Sequence, residues 1–232
     1  MAVAAATAAT GVAAADIGTG SGSGSGASNE MVITLVRHTE SAGNASGLID
    51  TKVPGPDLTA RGRSQADKLA VELAGKDYDC AYTSNMVRTA QTAAPTLTKQ
   101  DLKAKVQPGF REIEAGDYEG TPEANSLGGY LQAPIKWLSG DVNARIPGSI
   151  DGNEFDGRVD QALLDVQRNN CKNPVIFSHG GTIMFWSMMN ADNADKGKLG
   201  TDPIRNGGRV VLKGTPQTGW TIVEWVGHPD LG

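Results

Sequence analysis

The chain has 232 residues, 39% hydrophobic and 20% charged, enough to bury one sizeable core and near the upper end of single-domain length. A net charge of -5 and a pI near 5.2, with no basic stripe or patch, argue against a nucleic-acid partner, so any anionic ligand depends on a few local cations. No run of about 18 apolar residues offers a transmembrane segment.

Residues 1–28 differ from everything after them. An alanine-rich stretch (3–15) is followed by a run of glycine with serine and threonine (18–26) that has linker composition, so this tail is set apart from a domain spanning 29–232. Ala13-Ala14-Ala15 resembles the small-residue cleavage site of an export signal, yet no Lys or Arg precedes Arg37. The reading favours export to the cell envelope or beyond. Its alternative is a disordered tail on a cytoplasmic protein.

From Met31 onward strands and helices alternate, which predicts an α/β fold. Residues 31–36 read as a buried strand. Thr59 is placed to cap a helix with the stripe Ala66, Leu69, Ala70, Leu73 and Ala74, stopped by Gly75. A second strand, 80–83, leads into a helix begun by Ser84, with Met86, Ala90, Ala93 and Leu97 on one face and Pro95 disturbing its end. Residues 121–157 are irregular and rich in Gly, Pro and Asn, apart from a short amphipathic piece at 131–138; so long an insertion reads as a cap or lid. Phe155, Val159, Ala162, Leu163 and Val166 then mark another helix, and 174–178 a third strand running through Gly180-Gly181 into the apolar run 182–189. Residues 209–213 and 220–226 form a predicted antiparallel hairpin, so the central sheet is expected to be mixed but mostly parallel, within a three-layer sandwich. Cys80 and Cys171 lie far apart without metal-ligand spacing; the expectation is two buried small hydrophobes, with neither zinc nor a disulfide framework suggested.

Each of the three predicted parallel strands ends near a polar group: Arg37-His38, Arg88 and His179. Open α/β sheets bind ligands at the carboxyl ends of their strands, so these groups are expected to converge. Two guanidiniums and two imidazoles around one point require an anion, and phosphate suits arginine's paired donors and the amides at a helix start near Gly180. One imidazole could then attack phosphorus while the remaining cations stabilise the equatorial oxygens, with no metal and no cofactor required. Glu112 is the candidate proton donor for the leaving oxygen, with Glu114 and Glu119 as rivals.

The same residues carry a resemblance. Leu35-Val-Arg-His-Thr-Glu-Ser-Ala-Gly-Asn44, Thr83-Ser-Asn-Met-Val-Arg-Thr-Ala-Gln-Thr-Ala93, Arg111-Glu-Ile with Gly116-Asp-Tyr-Glu-Gly120, and Ser178-His-Gly-Gly181 together resemble the phosphoglycerate mutase-like histidine phosphatase superfamily. The likeness covers residues 31–226. It implies a phosphoglycerate mutase-like fold, His38 as the phosphorylated nucleophile, Arg37, Arg88 and His179 as the rest of the phosphate pocket, Asn44 as a further phosphate donor, and Glu112 as the acid. Gly180 after the second histidine, where the acid phosphatase branch has aspartate, favours the mutase-like branch. The residues around Glu112 look like the phosphatase form, so hydrolysis is favoured over transfer. Thr39 departs from the glycine common after the first histidine, and Gly43 from a tryptophan common in mutase-like members.

The implied partner is a small phosphomonoester or phosphate. A phosphotransferase, or a non-catalytic module binding phosphorylated ligands, are the alternatives. His228 is expected to be exposed and idle, and zinc on His38, His179 and His228 is disfavoured by the flanking arginines. Trp186, Met188 and Met189 read as core.

Overall fold

Among the described residues the central sheet has six strands, β1 (Met31–Arg37), β2 (Cys80–Thr83), β3 (Ala104–Val106), β4 (Pro174–Ser178), β5 (Arg209–Thr215) and β6 (Gly219–Val226), in the spatial order β3-β2-β4-β1-β5-β6. This computed structural model describes residues 30–232. The tail at 1–28, and with it the export reading of its sequence, lies outside the described residues. Pairings β3-β2, β2-β4 and β4-β1 are parallel, while β5 runs antiparallel to both β1 and β6. The sheet is therefore mixed and mostly parallel, as the sequence implied. The short edge strand β3 was not read from the sequence; with three residues, two of them exposed, it carries no hydrophobic pattern.

Among the described residues seven α-helices accompany the sheet: α1 (Ala42–Ser46), α2 (Ala60–Glu72), α3 (Val87–Gln100), α4 (Gln132–Leu138), α5 (Gly152–Arg168), α6 (Gly180–Asn190) and α7 (Lys198–Thr201). Side chains of one strand alternate between two apolar clusters. Ile33 and Leu35 of β1 and Ile176 of β4 join Phe155, Val159 and Leu163 of α5 and Phe185 of α6. Val36, Val175 and Phe177 join Leu69 of α2 and Ala93 of α3. This period-two alternation is what a sheet covered on both faces requires, and it gives the three layers. Trp186 and Met188 are buried and Met189 packs against the same cluster, as expected.

Local chemistry explains the helix bounds. Thr59 caps α2 by accepting from the Gly62 amide. Asp151 and Glu154 form a reciprocal capping box that starts α5 at Gly152, so the irregular stretch ends earlier than 157. Three expectations for α3 fail. Its cap residue is Met86, not Ser84, and Pro95 lies inside a helix that continues to Gln100. Its buried face is Arg88, Thr89, Thr92, Ala93 and Thr96 while Ala90 is exposed. Ser84 bonds elsewhere, and tertiary packing of that threonine-rich face outweighs the hydrogen bond Pro95 removes.

Cys80 and Cys171 form a disulfide, correcting the expectation of two separate hydrophobes. Cys80 opens β2 and pairs with Pro174 of β4, and Cys171 lies just before β4, so strand pairing brings their Cα atoms to 5.8 Å across 91 residues of sequence. Among the described residues no helix is long and apolar enough to cross a membrane.

Candidate active site

Parallel register sets the site. Arg37 pairs with Ser178 and Thr83 with Phe177, so β1, β4 and β2 end side by side, and the residues that follow, His38, His179 and Ser84, leave the sheet together. The His38 amide donates to the Ser178 carbonyl at 3.0 Å and the Ser84 amide to that of Phe177 at 3.1 Å.

His38 is 3% exposed and its two ring nitrogens have different partners. Nδ1 lies 2.8 Å from the Thr39 carbonyl, an acceptor only, so the proton sits on Nδ1. Nε2 therefore carries a lone pair, and Arg88 Nε donates to it at 3.1 Å. Burial first, then the charges of Arg88 and Arg37, hold the His38 pKa well below the ordinary 6.5. Thr39 itself is pinned to α3, its amide donating to Thr92 Oγ1 at 3.0 Å.

The His179 ring lies 5.2 Å from that of His38, centre to centre, at a steep angle. Its Nε2 is 2.8 Å from Ser84 Oγ, and it is wholly buried. Burial, then His38, Arg88 and Arg37, keep it neutral as well, with a pKa well below the ordinary value. Arg37 donates from Nη1 to the Ile204 carbonyl at 2.8 Å, and Arg88 from Nη2 to that of Asp50 at 3.0 Å. Arg37 Nε, Arg88 Nη1 and His179 Nδ1 are buried without a protein partner. Three orphaned polar nitrogens, two on guanidiniums, fit a site whose chemistry is to hold an anion.

Glu112 closes the constellation from the loop after β3. Its Oε1 accepts from the Thr182 amide at 2.8 Å and its Oε2 from the Gly181 amide at 3.1 Å, which seats the carboxylate on the positive end of α6. Arg158 of α5 fixes this loop, donating to the carbonyls of Arg111 and Glu112 at 3.2 and 3.3 Å; burial lowers its pKa to about 10. The rivals are spent otherwise. Glu114 pairs with Arg111 and Arg158, and Glu119 accepts from the Thr51 amide and hydroxyl.

These groups meet at a cavity of about 370 Å³ lined by Arg37, His38, Asn44, Arg88, Glu112 and Gly180 among others. His179 is not on that wall and reaches the site through its contact with His38. Asn44 Oδ1 accepts from the Ser41 amide and from Asn206 Nδ2, leaving its amide NH2 for a ligand. Residues 121–157 supply Glu123, Ser126, Leu127, Tyr130 and Leu131 to the cavity. His228 lies apart, 3.5 Å from Asp202.

Sequence reasoning missed Ser84, Asn206 and the segment around Asp50. Ser84 had a signal, its place at a strand end before the Arg88 motif, but its oxygen was assigned to helix capping. Gly55 explains the third. With φ at +71°, it stands where a Cβ would lie 2.5 Å from Arg88 Nη1, so only glycine lets this loop close on the arginine. Gly43 is buried against Asp50 and Pro56, at 3.2 Å from any added Cβ, and leaves no room for a large side chain.

A family model described as "Histidine phosphatase superfamily (branch 1)" matches residues 33–227. A PE-PGRS family protein of Mycobacterium tuberculosis is 40% identical over 215 residues, covering 86% of this chain; the chain spans 37% of that relative's length. A putative phosphoserine phosphatase of Hydrogenobacter thermophilus is 33% identical over 149 residues, 64% of this chain and 73% of the relative. Among solved structures, a mycobacterial glucosyl-3-phosphoglycerate phosphatase superposes with a TM-score of 0.70 at 18% identity, over 86% of this chain and all of that one.

Proposed function

From the premise that the chain belongs to the histidine phosphatase superfamily, branch 1, and is an enzyme of that superfamily, we propose a phosphomonoester hydrolase working through a phosphohistidine on His38. The observation that carries the reading is the protonation of His38. The Thr39 carbonyl holds the proton on Nδ1 and leaves the lone pair on Nε2, where only Arg88 Nε donates to it, in a cavity lined by two arginines.

The phosphate sits on Arg37, Arg88, Asn44 and the Gly180 amide, with His179 in support. Nε2 attacks phosphorus in line, an N–P bond forms and the P–O ester bond breaks. Arg37 and Arg88 stabilise the charge on the equatorial oxygens, the role a metal would otherwise serve. Glu112 gives its proton to the departing alkoxide, then takes one from the water that attacks the phosphohistidine. The N–P bond breaks to release phosphate and restore neutral His38. The irregular stretch from 121 to the start of α5 acts as a cap within the domain spanning 29–232.

Hydrolysis rather than transfer is supported by the phosphatase relatives. Export is supported by the Cys80–Cys171 disulfide, a bond that persists in oxidising compartments. The test is His38→Ala assayed on p-nitrophenyl phosphate without added metal, with acid-quenched wild type searched for phosphohistidine. Turnover should vanish with the variant, and undiminished turnover would sink the reading.

A further inference from the structure

Beyond the phosphate-facing groups the cavity changes character. Its wall is formed by Leu48, Leu127, Leu131, Met184, Leu199 and Pro203, contributed by four separate segments of chain. Leu48 and Leu127 are 43% and 67% exposed, although each lines the cavity. Tyr130 adds a ring without a free hydroxyl, since its oxygen donates to the Ile113 carbonyl at 2.6 Å. The charges outside the phosphate-facing set are two carboxylates, Asp50 and Glu123, against one guanidinium, Arg205. A carboxylated alcohol therefore meets a wall that is apolar and net negative, whereas an apolar one covers leucines that water would otherwise wet.

We infer that the ester hydrolysed at this site is that of a mid-sized, uncharged and largely apolar alcohol, and not that of a hydroxy acid. The inference rests on the hydrolytic reading above and adds the identity of the leaving group. A cavity of about 370 Å³ accepts such a molecule together with its phosphate. The wall lies on the cap segment, α6, α7 with the turn after it, and the loop after α1, and only α6 also serves the phosphate-facing groups.

The test compares phosphate release from hexyl phosphate, glycerol phosphate and phosphoserine, all esters of primary alcohols. The ratio of kcat/KM for hexyl phosphate to that for either polar ester should be about tenfold or more. Leu48→Ser and Leu127→Ser, at exposed positions that the fold tolerates, should each lower that ratio about threefold to tenfold. Equal turnover of the three esters, or preference for phosphoserine, overturns the inference while leaving hydrolysis standing. Release from none of them defeats the hydrolytic reading instead. In that case calorimetry decides the wall, with hexylphosphonate binding about tenfold more tightly than methylphosphonate if the inference holds, and equally if it does not.

Discussion

Arg88 Nε donates to His38 Nε2 at 3.1 Å, so the guanidinium covers the lone pair that the proposed reaction uses. The same side chain donates from Nη2 to the Asp50 carbonyl, which fixes its plane. A phosphate entering the site must draw Arg88 donors from the imidazole onto its own oxygens. Only a planar fork held at its far end can make that exchange without moving the chain.

Arg88→Lys should therefore fail almost as badly as Arg88→Ala. Removing a preorganised donor of this kind lowers kcat about a hundredfold to a thousandfold. Steady-state kinetics on p-nitrophenyl phosphate, with far-UV circular dichroism as the control for folding, reads this. A lysine variant within about threefold of wild type would show that charge alone suffices, against the role of the fork.

Gly181 tests Glu112 without touching it. A Cβ built at position 181 lies 2.7 Å from Glu112 Oε1, the oxygen bonded to the Thr182 amide. Gly181→Ala should push the carboxylate off the start of α6 while disturbing little else, because the colliding atom ends a flexible side chain. We expect kcat to fall about tenfold or more, as proton transfer typically contributes about a hundredfold or beyond, with thermal stability nearly unchanged. Loss for a slow alkyl ester should exceed loss for p-nitrophenyl phosphate, whose leaving group needs no proton. Equal losses on both would remove Glu112 from the acid role.

Much of this was legible from the sequence where burial and periodicity coincide. The strand at 174–178 and the stripe of α5 are buried on every predicted position, and His38, Arg37, Arg88 and Glu112 line one cavity. The failures share a cause. Ser84, Asn206 and the Cys80–Cys171 bridge depend on which strands become neighbours, and the order β2-β4-β1-β5 joins segments from 91 to 168 residues apart in sequence. Helix α3 misled the reading for a different reason: its buried face is polar, with threonines bonding back to the chain, as Thr92 does to the Arg88 carbonyl.

The disulfide is placed for stability and not for catalysis. Cys80 begins β2, at the end of the strand opposite Ser84, so the bridge and the reacting groups lie at opposite ends of the parallel strands. Replacing both cysteines by serine should cost about 2–4 kcal/mol, a drop of roughly 5–15 °C in Tm, with kcat/KM retained. The same residues report on compartment. Thiol titration of denatured protein from its native host, without reductant, should find the pair blocked; two free thiols would withdraw the support for export.

Stability should also carry the mark of the two buried imidazoles. For His38 and His179 burial is the first cause of a pKa held well below 6.5, followed by neighbouring arginines and, for His179, by His38. The sign follows from proton counting. Above about pH 6.5 neither folded nor unfolded chain protonates them and they contribute nothing; below it the unfolded state gains protons that the native state refuses, so stability falls as pH falls. Between about pH 6.5 and pH 5.5 each histidine should cost about 1 kcal/mol, or about 2 for the pair. Urea unfolding at pH 7.5, 6.5 and 5.5 of wild type beside His179→Gln isolates one of them, since titrating carboxylates cancel in the difference. The variant should lose about 1 kcal/mol less over that interval than wild type does. Identical losses would mean that His179 is protonated in the folded protein.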